Sequence, residues 1–121
     1  VSFALRALQA LCPPDHTYKV ALYPETTQLD AYTAQGEWVG QGYEAGGQTL
    51  TGHRIEMDGE EAVLRFNTAE WLNADIKART FLVYDATTGY AINVTQTERV
   101  AGVFNGLFEY RMPDEGVARI G

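Results

Sequence analysis

The sequence predicts an all-β fold: an antiparallel β-sandwich, Ig-like or jelly-roll-like, of about seven strands, with one short N-terminal helix. Three observations carry this. Threonine occurs 12 times and serine once, and Val, Tyr, Phe and Ile are frequent, which is strand vocabulary. Apolar residues alternate with polar ones in short runs bounded by glycine-bearing turns. Only the residues before Pro13-Pro14 repeat with a helical period.

The helix comes first. Val1, Ala4, Leu5, Leu8, Leu11 and Cys12 fall on one side at helical spacing, and Ser2 is the N-cap candidate. Pro13-Pro14 ends it by removing backbone donors and restricting the preceding residue. So short a helix is marginal alone in water, so it must dock on its own domain or on a neighbour. Phe3 lies off the stripe and is a candidate contact for a second surface.

The strands follow. Tyr18 to Tyr23 alternates, with Tyr18, Val20 and Leu22 on one side. Residues 24–30 form a connection, and Gln35 to Ala45 is too rich in glycine for a regular central strand. Gln48 to Met57 reads as a strand with Leu50, Ile55 and Met57 facing in. Asp58-Gly59 is the strongest hairpin signal in the chain, and Glu60 to Phe66 returns with Ala62, Leu64 and Phe66 on one face. Residues 70–73 read as a corner. Ala74 to Asp85 is the longest predicted strand, with Ile76, Ala78, Leu82 and Tyr84 on one face and Lys77, Arg79, Phe81 and Val83 on the other. Thr87-Thr88-Gly89 is a turn. Tyr90 to Arg99 returns with Ile92 and Val94 inward, residues 100–106 read as a loop, and Leu107 to Met112 closes the pattern. The boundaries are one domain over 1–121: helix 1–12, β-sandwich 17–112 and a mobile tail 113–121.

Composition excludes several classes. The 121 residues carry 16 acids against 9 Lys and Arg, a net charge of −7. That speaks against nucleic-acid binding and against adhesion to anionic membranes. No apolar run reaches the ~18 residues of a membrane span. The N-terminus lacks a basic region followed by a long apolar core, so no secretory signal is expected. One cysteine excludes a disulfide within the chain and the disulfide-rich secreted class.

The chemistry-bearing residues form no motif. Ser2 belongs to the helix start, and Cys12 sits on the apolar stripe as a core thiol, with His16 its nearest imidazole in sequence. His16 and His53 share no metal-ligand spacing, and Asp58, Glu60 and Glu61 surround a turn without a calcium-loop pattern. The glycines at 40, 42, 46 and 47 lack the lysine and helix of a phosphate loop. Asn93-Val94-Thr95 matches a glycosylation acceptor on three residues alone. No catalytic residue, cofactor or metal is expected. Tyr32, Trp38 and Tyr43 stand out as aromatics among glycines, suited to a sugar-stacking platform, a contact patch or ordinary packing.

The order of these segments resembles small all-β virion structural proteins of tailed bacteriophages. The matching pieces are Lys19-Val20-Ala21-Leu22-Tyr23; Asp30-Ala31-Tyr32-Thr33; Gly36 through Tyr43; Ala45 through Leu50; and Trp71 through Asn73-Ala74, then Ala78-Arg79 and the hydrophobic strand ending Val83-Tyr84-Asp85, with the Thr87-Thr88-Gly89 turn. Coverage runs from about Tyr18 to Met112. Gln48 stands where that pattern commonly has lysine, and the finish Phe108 to Pro113 is less threonine-rich. The resemblance implies a non-enzymatic head decoration, head fibre or tail attachment, located in the virion and assembled in the host bacterial cytoplasm. The implied partners are other virion subunits and further copies of the chain. Phe3, Trp38 and Tyr43 are the candidate interface residues. The alternative is a carbohydrate-binding module touching a host glycan, with Trp38 and Tyr43 exposed on one face.

Overall fold

A computed structural model describes residues 3–121. The helix α1 spans Phe3–Leu11 and turns Ala4 and Leu8 into the interior, followed by buried Cys12. The cap at Ser2 and the stripe's first residue, Val1, lie outside the described residues. Leu11 departs from the predicted buried stripe: it is exposed, because the helix ends there and the chain turns into Pro13-Pro14. Those prolines do not loosen the helix from the body. The Tyr18 hydroxyl donates to the Pro13 carbonyl at 2.6 Å, and the His53 ring meets the Cys12 carbonyl at 2.9 Å.

The rest is mostly antiparallel β-sheet. Strands β1 (Tyr18–Tyr23), β2 (Gln48–Thr49), β3 (Arg54–Asp58), β4 (Glu61–Arg65), β5 (Ala69–Asp85), β6 (Ala91–Tyr110) and β7 (Ala118–Ile120) form two sheets. One has the order β2-β1-β5-β6 and the other β3-β4-β7. The main core lies between them: Val20, Leu22, Ile76, Phe81 and Val83 meet Ala62, Leu64, Phe66 and the helix residues Ala4 and Leu8. The arrangement is consistent with a sandwich-like all-β fold. A smaller cluster of Ala21, Tyr23, Leu82 and Tyr84 occupies the opposite side of β1 and β5, covered by Leu29 and Tyr32 of the long connection 24–47. Buried Thr80 pins that connection, donating to the Glu25 carbonyl at 2.7 Å and accepting from the Thr27 amide at 3.2 Å.

Several expectations need correction, and most have one cause. The predicted corner at 70–73 and the predicted loop at 100–106 are both parts of one β5–β6 ladder, the first facing Phe108 and Glu109 and the second facing Ala74 through Ala78. Glycine and asparagine there mark bulges, not chain breaks. β5 carries an extra residue between Trp71 and Ala74, and β6 carries one between Val103 and Gly106. Each bulge holds an asparagine at positive φ, Asn73 at 50° and Asn105 at 51°. A further irregularity beside Ala78 and Thr80 loops out part of β6, where the Arg79 guanidinium donates to the Thr97 and Glu98 carbonyls. Alternation in β5 breaks there. Ile76 and Ala78 face the main core, but so do Phe81 and Val83, while Leu82 and Tyr84 face the smaller cluster.

The other corrections are local. Residues 48–57 form two strands, not one, and Met57 is 44% exposed. The segment after Pro113 is not a free tail: Val117 is buried and β7 pairs with β4, Ala62 opposite Ile120. The hairpin sits one residue later than predicted, since Asp58 pairs with Glu61 and leaves Gly59-Glu60 as the loop. Gly59 has φ 63°, the geometry of a type II′ turn. A Cβ at Gly59 would meet no atom within 4 Å, so Gly59→Val should cost conformational strain alone, about 1 kcal/mol. Urea denaturation would check this, and an unchanged midpoint would contradict the turn.

Candidate interaction surface

The connection 24–47 runs beside β1 and carries two of the three candidate contact residues. Beyond its two-residue pairing with β2, β1 has a free edge at Leu22, and side-chain and loop groups complete it. The Leu22 amide donates to the Tyr43 hydroxyl at 3.0 Å, and the Leu22 carbonyl accepts from the Trp38 amide at 2.9 Å.

Tyr43 is an interior residue. It is buried, its ring stacks near Trp71 with centroids 6.2 Å apart, and its hydroxyl donates to buried Glu37. Glu37 also accepts from the Tyr32 hydroxyl at 2.6 Å and the Gly46 amide at 3.0 Å. Tyr84 closes the network by donating to the Gly46 carbonyl at 2.7 Å. A buried carboxylate requires such partners. Tyr43 and Tyr32 therefore hold the loop in place, and the reading of Tyr43 as a contact residue gives way to this structural role. Trp38 and Tyr43 do not form an exposed aromatic pair.

Trp38 is half-buried and fixed by its Nε1, which donates to the Asp75 carbonyl at 2.7 Å. It lies in an open groove of about 690 Å³ with Val39, Lys77, Val100, Val103 and Phe104. Val39 and Phe104 are 87% and 85% exposed. Leu72 and Leu107 are also exposed, farther along the same hairpin. Phe3 is exposed on the helix, so its position suits contact with a partner. Sequence reasoning missed Val39, Val100 and Phe104. The signal for the last two lay in Val100–Phe108, a stretch without a charged residue, which reads as a loop until the strand pairing is known.

The structure brings together a second group that sequence separates. His16 Nδ1 lies 2.6 Å from the Asp85 carboxylate, which also accepts from the Thr87 amide at 2.9 Å and shapes the turn before Gly89. Cys12 lines the same depression. Burial, and then the charge of Asp85, push the thiol up, which favours the unreactive protonated form. This is the environment of a packing thiol. Among the described residues, no group of three or more His, Cys, Asp or Glu is placed to hold a metal ion.

Burial also dominates the tyrosines. It pushes the Tyr84 and Tyr110 hydroxyls up to about 12, and raises those of Tyr18, Tyr23, Tyr32 and Tyr43, with Glu37 adding to the shift in Tyr32 and Tyr43. These groups favour the folded state while neutral. Their unfolded pKa is about 10, so their stabilisation is complete below that pH and is lost as pH rises toward 12 and beyond. Alkaline titration should show these six tyrosines ionising above their ordinary range and together with unfolding. Independent ionisation of these six near pH 10, with circular dichroism unchanged, would contradict the burial of their hydroxyls.

No protein-family model matches the chain, and neither a curated protein nor a solved structure is found similar to it.

Proposed function

We propose that this protein is a non-enzymatic structural component of a tailed-bacteriophage virion, docking in multiple copies on head or tail subunits after synthesis in the host bacterial cytoplasm. The observation that carries the reading is the apolar surface around the Trp38 groove, with Val39 and Phe104 almost fully exposed on a chain of net charge −7. An exposed apolar patch on an otherwise polar, strongly charged protein marks an interaction site. Repetition on a symmetric shell turns modest contacts into durable attachment through avidity. Within this reading the paired sheets are a β-sandwich of Ig-like or jelly-roll-like type.

The test is mass spectrometry of purified particles of a phage that encodes the chain, with copy number measured against the major capsid protein. A fixed multiple of the shell's symmetry is expected, and a Phe104→Asp variant should be depleted from particles while remaining folded. Absence of the wild-type chain from purified particles would overturn the proposal.

A second reading, carbohydrate binding, is favoured by one observation: the partly accessible Trp38 ring beside Lys77 in an open groove. It predicts glycan-array signals that Trp38→Ala abolishes.

A further inference from the structure

We propose that Asn105-Gly106 is a site of spontaneous deamidation, through which the folded chain gains a carboxylate beside the Trp38 groove. This goes beyond the proposed function and concerns the chain alone, so its failure would leave docking on virion subunits standing.

The chemistry needs no enzyme or cofactor. Base removes the Gly106 amide proton, and the nitrogen attacks the side-chain carbonyl carbon of Asn105. A bond forms between Gly106 N and Asn105 Cγ, the bond from Cγ to Nδ2 breaks, and Nδ2 leaves as ammonia with the proton returned to it. The five-membered succinimide that remains takes up one water at either carbonyl and opens to aspartate or isoaspartate. In isoaspartate the main chain runs through the former side chain, so β6 gains a methylene at the bulge.

Four asparagines occur in the chain, and their settings single out Asn105. The attacking amide must belong to a residue with little bulk at Cβ, and the asparagine side chain must be able to swing toward it. Asn67 and Asn93 meet neither condition. Each precedes a stiff β-branched residue, Thr68 or Val94. Each side-chain oxygen is also engaged, accepting from Arg54 at 3.2 Å in Asn67 and from the Thr95 hydroxyl at 2.9 Å in Asn93. Asn73 precedes Ala74, which is fully buried. Asn105 precedes glycine, is exposed, and makes no such side-chain hydrogen bond among the described residues.

Attack also requires the left-handed conformation at Asn105, φ 51°, to unwind. The fold permits this. Phe104 and Asn105 together oppose the single residue Asp75 in the bulge, and β6 is the edge of its sheet. A bulge interrupts the ladder, so few bonds break when the strand opens locally there.

The consequence runs through Asp75. Its amide donates to the Gln41 carbonyl at 2.9 Å, its carbonyl accepts from Trp38 Nε1 at 2.7 Å, and its carboxylate accepts from the Asn105 amide at 2.7 Å. A carboxylate on residue 105 stands beside that of Asp75, and like charges so close repel each other. Isoaspartate also displaces the amide that Asp75 holds. Deamidation therefore loosens the junction between the bulge and the Trp38 loop, and adds negative charge next to exposed Phe104.

The experiment holds the full chain at about 37 °C and about pH 8, below the tyrosine range, beside a synthetic peptide of residues 101–109. Peptide mapping should find a gain of about 1 Da at residue 105, the amide having become a carboxyl group. Its rate should be no less than about one tenth of the peptide's, because the edge bulge opens readily. Asn67, Asn73 and Asn93 should stay intact, and the converted chain should melt below the starting protein with altered tryptophan emission. Gly106→Ala should suppress the reaction; its Cβ would lie 2.8 Å from Val103 Cγ2, the end of a side chain able to turn aside. Asn105→Ser keeps the glycine and should hold both its mass and its melting temperature. An intact Asn105 in the folded chain after the peptide has converted would overturn the proposal. So would a faster gain at another asparagine, or a converted chain with unchanged melting and emission.

Discussion

Gly47→Ala is expected to be the most damaging conservative substitution in the chain. A Cβ at Gly47 would lie 1.9 Å from the Val20 carbonyl oxygen and 2.8 Å from the Ala21 Cα, and φ there is 85°. Two costs combine. A side chain at positive φ costs about 1 kcal/mol. The clash is with backbone, which no rotamer change relieves, so β1 or the loop must move. β1 is almost entirely buried and pairs along its whole length with β5, so displacing it disturbs both apolar clusters. A total of about 4 kcal/mol is a large part of the ~5–15 kcal/mol that holds a domain folded. Gly36→Ala is the control, because φ is 81° and nothing lies within 4 Å of its Cβ. Thermal melting should show a drop on the order of 15 °C for Gly47→Ala and only a few degrees for Gly36→Ala. Similar melting of the two variants would show that the close approach of loop and strand is not tight.

That close approach was not legible in the sequence, and the reason applies to most of what sequence reasoning missed. Periodicity reports which way a side chain faces within one regular segment. It locates Tyr18, Val20 and Leu22 on one side of β1 and Phe108, Tyr110 and Met112 on one side of the closing strand, and these residues do face the main core. It cannot report a bulge, because one extra residue reverses the alternation while leaving composition unchanged. Asn73 and Asn105 therefore read as breaks, and a 17-residue strand and a 20-residue strand were divided into shorter pieces. The same limit applied to the candidate surface. Trp38 and Tyr43 are alike in the sequence, both aromatics beside glycines. What separates them is Glu37, which buries Tyr43 through a hydrogen bond while Trp38 stays at the edge of the groove. Phe104 became visible as a surface residue only when β5 and β6 were paired. Phe3 was legible, because helical spacing alone places it off the stripe.

The helix provides the second large effect, and it separates folding from association. Leu8→Ala should cost about 2–4 kcal/mol, whereas Phe3→Ala should change stability by less than about 0.5 kcal/mol. Both residues lie on one nine-residue helix. Leu8 is 1% exposed in the main core, which also contains Ala62 and Leu64 of β4, so truncation leaves a cavity bounded by paired strands that cannot collapse freely. The helix cannot persist without that anchorage, because so short a helix is marginal in water. Loss of Leu8 therefore also weakens the cover over Cys12 and Val117, which belong to the same cluster. Phe3 is 82% exposed and has no interior site to vacate. Its apolar ring contributes to affinity only when a partner covers it. Urea denaturation of both variants, beside recovery of each with the particles on which the chain is proposed to dock, gives two independent readings. Leu8→Ala should lower the unfolding midpoint and retain attachment wherever it is folded. Phe3→Ala should keep the midpoint and lose attachment. Equal destabilisation by both substitutions, with attachment unchanged in both, would mean that the helix only covers its own core and that Phe3 has no role at a contact.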